Sequence, residues 1–261
     1  MIAFIGGGNM AEALIKGITA KGKKDIIVSE PRPERRKQLE DAYKVKTTAS
    51  NLEAVRASNI ILLAVKPQIM DDVLEEISSE IDESKAVVSI AAGIRLSYLA
   101  ERLKAGCLIR VMPNTPALVG EGISVISMCE CVHGPEMGII KDIFMSVGKV
   151  MMMPEKYMDA VTALSGSGPA FIAYFLEGMI EGAVKAGLPE ESARELALET
   201  AFGTLKMLEE GLSTQKLRQM VTSPGGTTAA GLKVLEEKNF KEIINEMIGA
   251  AVRRAAELGK G

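Results

Sequence analysis

The chain has 261 residues, 47% hydrophobic and 25% charged, with a net charge of −3. That length is enough for two modest domains with their own cores. No basic surplus exists to neutralise phosphates in quantity, and aromatics at 4% with no Trp remove the usual stacking platform, so the composition argues against a nucleic-acid function.

The N-terminus runs from Met1-Ile2-Ala3-Phe4-Ile5 straight into glycines, with no basic segment or cleavage site, so no secretory leader is predicted. Cys107, Cys129 and Cys131 are odd in number and, even with the lone His133, lack metal-ligand spacing. They read as reduced thiols, and the expected location is the cytoplasm.

In chain order, Ile2–Ile5, Ile26–Ser29, Ile60–Ala64, Ala86–Ile90 and Leu108–Met112 are short and Val/Ile-rich, without polar alternation. Such runs predict strands buried on both faces, as in a parallel sheet. Helical patterns fall between them near 9–21, 33–43, 69–79 and 96–104. The alternation predicts a doubly wound α/β domain over 1–153. Gly122–Ile126 and Lys149–Met153 should complete the sheet around a helix at 135–146. From 154 to 261 the strand signals stop, and Ala, Leu, Glu, Lys and Met recur at helical spacing. Gly187-Leu188-Pro189, Gly211 and Ser223-Pro224-Gly225-Gly226 cut this stretch into helices. The segment Pro169–Gly187 is apolar enough to suggest a membrane span, but Glu177, Glu181 and Lys185 put three charges on one face. A helix buried on most sides with one wet stripe is the expectation. An all-helical piece this apolar cannot cover itself, which predicts packing against a second subunit.

Gly6-Gly7-Gly8-Asn9-Met10-Ala11 follows the first strand and opens the first helix, matching G-x-G-x-x-[GA] at Gly6, Gly8 and Ala11. Gly6 permits the tight turn, Gly8 lets a pyrophosphate approach the backbone, and Ala11 allows close helix–strand packing. The free amides of the helix start then hold the phosphates. At the end of the second strand, Glu30 suits a ribose hydroxyl and NAD, whereas Arg32 suits a 2′-phosphate and NADP. Arg35 and Arg36 read either as further phosphate ligands or as a solvated helix start. Ala64-Val65-Lys66-Pro67, Ala91-Ala92-Gly93 and Met112-Pro113-Asn114-Thr115-Pro116 each follow a strand, on the edge where open α/β sheets bind ligands. Lys66 reads equally as a surface charge or a cofactor contact. In the helical half, Ser165-Gly166-Ser167-Gly168-Pro169 and Ser223-Pro224-Gly225-Gly226-Thr227-Thr228 each precede a helix and offer hydroxyls with open amides. Both read as anion-binding helix starts or as simple caps.

Together Ala64-Val65-Lys66-Pro67, Pro113-Asn114-Thr115-Pro116, Leu164-Ser165-Gly166-Ser167-Gly168-Pro169-Ala170 and Ser223-Pro224-Gly225-Gly226-Thr227-Thr228 carry a resemblance to the pyrroline-5-carboxylate reductase family, nearly end to end. The resemblance implies an N-terminal Rossmann domain, a helical domain that interlocks two subunits, sites formed across the dimer, and dimers assembled into rings. It implies cofactor contacts at Ile5, Gly6, Gly7, Gly8, Asn9, Met10, Glu30, Arg32, Asn51, Ala64, Val65, Lys66, Pro67, Ile90, Ala91 and Ala92. It implies a substrate carboxylate at Ser223, Gly226, Thr227 and Thr228, with the Thr228 hydroxyl near the ring nitrogen as the catalytic contact. Many members carry Ser or Thr in place of Glu30, so NADH and NADPH both stay open.

The implied reaction moves hydride from nicotinamide to a C=N carbon, with no metal. A substrate protonated from water brings its own proton, so the site needs no histidine, and His133 in a His-Gly-Pro turn reads as surface. Three rivals are weaker. A ketol-acid reductoisomerase needs carboxylates around Mg²⁺, yet Glu177/Glu181 and Glu195/Glu199 sit among lysines and arginines. A β-hydroxyacid dehydrogenase needs a basic side chain in the helical half, where Lys185 is the one candidate. A non-catalytic dinucleotide sensor has no use for two further anion-binding helix starts.

Overall fold

The computed structural model describes residues 1–23, 25–128 and 136–259. Cys129, Cys131, His133 and the first residue of the helix expected at 135–146 lie outside the described residues. The chain divides into two compact units, Met1–Pro169 with Ala250–Gly261, and Ala170–Gly249.

The apolar runs of the first unit pair as one eight-stranded sheet: β1 (Ile2–Ile5), β2 (Ile26–Ser29), β3 (Lys46–Thr48), β4 (Ile60–Leu63), β5 (Ala86–Ser89), β6 (Cys107–Met112), β7 (Gly122–Met128) and β8 (Gly148–Met152). The order is β3-β2-β1-β4-β5-β6-β7-β8. Pairing is parallel throughout except between β6 and β7. The order reverses between β1 and β4, which is the point where such sheets open a crevice. Among these strands, β3 is the element that the sequence pattern does not announce.

Helices α1 (Asn9–Ala20), α2 (Pro33–Tyr43), α3 (Asn51–Arg56), α4 (Met70–Ile77), α5 (Leu96–Arg102) and α6 (Glu136–Met145) cover both faces. The two-residue period of a strand explains how one short run serves two cores. Ile2 and Phe4 join Leu14, Ile15, Ile18 and Leu39 from α1 and α2 and Ile140 and Phe144 from α6. Ala3 and Ile5 join Val55 of α3, Met70 and Leu74 of α4 and Leu99 of α5. Ser50 caps α3 by accepting the Glu53 amide at 3.2 Å, and Pro33 starts α2 where its missing N–H costs nothing. After β8 comes a short helix, α7 (Met158–Val161), and then one wide helical turn at Thr162–Gly166.

The remaining helices are α8 (Gly168–Lys185), α9 (Glu190–Glu209), α10 (Thr214–Met220), α11 (Thr227–Glu237) and α12 (Phe240–Leu258). The first three breaks fall at the glycine and proline signals seen in the sequence, while α11 and α12 part at Asn239, which takes a positive φ of 52°. Within the second unit, the rings of Phe175 and Phe240 lie 6.1 Å apart. In the single chain the expected apolar helix over 169–187 stands open: Gly168, at the start of α8, is the helix's one buried residue and Tyr174 is 78% exposed, as a helix that packs against a second subunit would be when alone. A hundred-residue helical stretch has too little chain to wrap its own apolar faces. Among the described residues, no helix is long and apolar enough to cross a membrane.

Candidate active site

Three glycines after β1 make the turn into α1, and each has a different reason to be glycine. Gly6 sits at φ +100°, and its N–H donates to the Ser29 carbonyl at 2.8 Å. A Cβ there would lie 2.9 Å from the Ala64 oxygen and 3.1 Å from Val65 Cγ1. Gly7 is buried, and a Cβ would come within 3.0 Å of Leu39 and 3.2 Å of Glu30 Oε2. Gly8 has ordinary extended angles, and a Cβ there would meet nothing within 4 Å. Its open side is the space where backbone can approach a ligand. No side chain caps the start of α1, so the first amides and the positive end of the helix remain available to an anion.

These residues open onto a cleft of about 520 Å³ along the carboxyl ends of β1, β4, β5 and β6. That size falls in the ordinary range of small-molecule sites. Its lining brings together Gly8, Asn9 and Met10, then Ala64, Val65, Lys66 and Pro67, then Ile90, Ala91 and Ala92. All ten are among the residues expected at the cofactor. Met112, Pro113, Asn114, Thr115 and Gly166 complete the wall. Of these, 112–115 were legible as a loop on the ligand edge. Gly166 was legible as part of a candidate anion-binding helix start but not as a wall of this cleft, since it arrives from the wide turn after α7. A side chain at 166 would collide with the Met112 methyl. Asn114 stiffens its loop by accepting the Ile123 amide at 2.9 Å.

Other expected cofactor residues lie below or beside this cleft. Ile5 is wholly buried, so only its backbone faces the turn. Gly6 and Gly7 form the turn's floor. Glu30, Arg32 and Asn51 gather at the ends of β2 and β3. Glu30 is only 4% exposed. Its carboxylate accepts the Gly7 N–H at 3.1 Å, the Arg32 N–H at 3.1 Å and Arg32 Nε at 2.8 Å. Burial pushes the Glu30 carboxyl up, but the Arg32 and Gly7 donors and the Arg32 charge outweigh it and hold the pKa below its ordinary value. Arg32 itself is 65% exposed. Asn51 accepts from Ser29 Oγ and donates to Glu76, both at 2.7 Å.

Arg35 and Arg36 are not a solvated helix start. Arg36 donates to the carbonyls of Glu30 and Pro31 at 2.8 and 2.9 Å. Arg35 donates to the Gly7 carbonyl at 2.7 Å and to Glu12 at 2.6 Å. Tyr43 donates to the other Glu12 oxygen at 2.9 Å. Reading the helices separately could not show this bridge between α1 and α2.

In the second unit, Gly225 takes φ +71° and Gly226 is the N-cap of α11, with no side chain capping it. The Gly226 N–H donates to the Ser223 carbonyl at 3.1 Å. A Cβ at 226 would lie 2.5 Å from Ser223 Oγ, so a larger residue there would make that hydroxyl turn aside. Ser223 and Thr227 are exposed and Thr228 half-buried. The loop thus offers three hydroxyls and the first α11 amides within six residues.

Known proteins resemble the chain at both levels. Residues 155–258 match the family model for pyrroline-5-carboxylate reductase dimerisation, and residues 1–93 match that for NADP oxidoreductase, coenzyme F420-dependent. A pyrroline-5-carboxylate reductase from a Synechocystis species is 42% identical over 99% of this chain and 98% of its own. The chain belongs to the pyrroline-5-carboxylate reductase family. A solved family structure from Coxiella burnetii superposes with a TM-score of 0.91 at 36% identity, covering 100% of this chain and 98% of that one. Another, from Plasmodium falciparum with NADP bound, gives 0.89 at 34% identity, covering 99% and 97%. Like its family, the chain is an NAD(P)-dependent oxidoreductase. Among the described residues, no group of three or more His, Cys, Asp or Glu is placed to hold a metal ion.

Proposed function

We propose that the chain reduces the C=N bond of 1-pyrroline-5-carboxylate to L-proline with NADH or NADPH, as a cytoplasmic homodimer. The observation that carries the reading is the cleft at the strand-order reversal, where an open glycine and an uncapped helix start face small-residue walls. These features fit a dinucleotide, because a Cβ at Gly8 would fill the space a pyrophosphate needs.

When bound, the reduced nicotinamide supplies a hydride to the imine carbon. The chain does the rest. The amides at Gly8, Asn9 and Met10 would hold the pyrophosphate, over a floor of Ile5, Gly6 and Gly7. Glu30, Arg32 and Asn51 would meet the adenosine ribose. Ala64, Val65, Lys66 and Pro67 on one side, and Ile90, Ala91 and Ala92 on the other, would flank the nicotinamide half. Ser223, Gly226 and Thr227 offer hydroxyls and amides to a carboxylate. The Thr228 hydroxyl would accept a hydrogen bond from the protonated ring nitrogen. A threonine is a poor proton donor but a good partner for an iminium. The imine gains its proton from water beforehand, and hydride addition then leaves a neutral amine. Alignment of two bound reactants contributes much of the rate.

The division of labour follows the chain: residues 1–153 bind the dinucleotide, and 154–261 dimerise and hold the substrate. A dimer would complete each site, and a ring of dimers is the larger assembly this family suggests. Steady-state rates with 1-pyrroline-5-carboxylate and each cofactor test the activity. Absence of turnover with both would refute it. Sedimentation at assay concentration reads the assembly.

A further inference from the structure

Gly7 is the one residue of the glycine turn that is held by charged side chains at both its polar backbone atoms. Its N–H donates to Glu30 Oε2 at 3.1 Å, and its carbonyl accepts Arg35 Nε at 2.7 Å. A trans peptide points its C=O and the next N–H in opposite directions. Fixing the Gly7 carbonyl on Arg35 therefore turns the Gly8 N–H away from α2, and the flank that Gly8 presents to the cleft is open. Arg35 is able to do this because its other side is anchored. Its guanidinium also donates to Glu12 Oε2 at 2.6 Å, while Tyr43 holds Glu12 Oε1 at 2.9 Å. The side chain is only 16% exposed. A planar fork that grips two acceptors at once is an arginine property which lysine does not share.

The same pair also settles an electrostatic conflict. Two carboxylates, Glu12 and Glu30, flank a turn meant for a doubly charged pyrophosphate, where bare acids would repel the ligand. Each is paired with its own arginine, Glu12 with Arg35 and Glu30 with Arg32.

We propose that Arg35 is a positioning residue for the dinucleotide pyrophosphate, acting through the Gly7 carbonyl rather than by touching the ligand, and that Arg32 is left to meet the ribose substituent. This rests on the nicotinamide-dinucleotide reading of the cleft. It assigns two neighbouring arginines to different tasks. Arg35 sets affinity for every dinucleotide alike, and Arg32 sets discrimination between NADH and NADPH.

The test is calorimetric binding of NADH and NADPH to the full-length protein and to Arg35→Met, Arg35→Lys and Arg32→Met, with thermal unfolding of each. Arg35→Met should raise Kd for both dinucleotides about tenfold, which corresponds to about 1.4 kcal/mol. The NADH/NADPH ratio should stay unchanged. Arg35→Lys, which keeps the charge but loses the fork, should fall between wild type and Arg35→Met, and Arg32→Met should move the ratio. A ratio that shifts in Arg35→Met would make Arg35 a direct ribose-phosphate ligand and overturn the proposal. So would unchanged affinities in both Arg35 variants. If Arg35→Met does not fold, Arg35→Lys carries the same two readouts. Failure of the wild-type protein to bind either dinucleotide would instead remove the functional reading itself.

Discussion

One methyl group placed at Gly8 or at Gly6, two residues apart in the same turn, should have opposite consequences. At Gly8 the backbone is extended, at φ −69° and ψ −178°, which any residue adopts. The added Cβ meets nothing within 4 Å. Gly8→Ala should therefore leave stability unchanged or raise it by about 0.4–1 kcal/mol, through the less mobile unfolded chain. Its methyl nonetheless occupies the space through which a phosphate reaches the turn. Each amide–phosphate hydrogen bond lost costs about 1.5–3 kcal/mol, so Kd for NADPH should rise about ten- to hundredfold. At Gly6 the backbone is at φ +100° and the Cβ falls 2.9 Å from the Ala64 oxygen. Neither side can yield, because the Ala64 N–H is bonded across the sheet to the Ile5 carbonyl at 2.8 Å. Left-handed geometry costs a non-glycine residue about 1–2 kcal/mol, and overpacking adds about 1–3 kcal/mol. Gly6→Ala should thus destabilise by roughly 2–5 kcal/mol. Urea unfolding and NADPH calorimetry on both variants decide the matter. A Gly8→Ala protein that binds NADPH like wild type would refute the placement of the pyrophosphate.

Three further outcomes are expected. Thr228→Ala should lower turnover at saturating 1-pyrroline-5-carboxylate about tenfold or more, the scale of one hydrogen bond to a charged group, with NADPH binding and melting temperature unchanged; an unchanged rate would remove Thr228 from the mechanism. Glu30 has its pKa held below the ordinary 4.5 in the folded chain, so its carboxylate stabilises the fold above that pH and loses the effect as pH falls through the lowered value. The stability gap between wild type and Glu30→Gln should accordingly be full at neutral pH and shrink below about pH 4.5; a gap that is flat with pH would show that the carboxylate is not the stabilising species. Phe175→Asp should dissociate the dimer and abolish activity together, and a fully active monomer in sedimentation would overturn both the interface and the shared site.

How far each feature could be read from sequence follows from where its stabilising contacts come from. β1, β4 and β5 are four-residue runs whose every side chain is buried, and apart from Ser89 at the end of β5 every one is apolar, so their identity is written in consecutive apolar residues. By contrast β3 spans three residues, Lys46–Thr48, at the sheet edge, and α3 spans six. Neither is long enough to show a period. β3 is held by its register against Ile27, Val28 and Ser29, a partner that sequence proximity does not reveal. The cleft divides the same way. Loops after β4, β5 and β6 were legible, since sheet order alone puts their ends at the ligand edge. The meeting of Gly166 with this cleft and the Glu12–Arg35–Tyr43 bridge were not, because they depend on segments brought together from α1, α2 and the turn after α7. Glu30 shows both sides at once. Its position at the end of β2 was readable, while its inward turn onto the Gly7 amide required coordinates.

The helical half carries its own argument about what is missing from a single chain. On α8, Ile172, Phe175 and Met179 recur at i, i+3 and i+7 and so share one stripe. They are 58%, 49% and 41% exposed. Glu177, Glu181 and Lys185, at four-residue spacing, fall on the opposite side of the same helix, where Lys185 lies 4.0 Å from Glu181. A helix with this division has a side built for water and a side built for protein. Burying a large apolar side chain fully is worth about 1.5–3 kcal/mol, so three half-exposed ones represent several kcal/mol that a monomer leaves unrealised. A bilayer is a poor recipient, since the charged side would have to enter it as well. A second copy of the same chain offers the same stripe in return, as a two-fold interface requires. The match of residues 155–258 to the family's dimerisation domain places that need in the part of the chain that also holds the Ser223–Thr228 loop. If that loop holds the substrate as proposed, dimerisation and substrate binding share one helical scaffold, and a charge set into the stripe at Phe175 should disturb both.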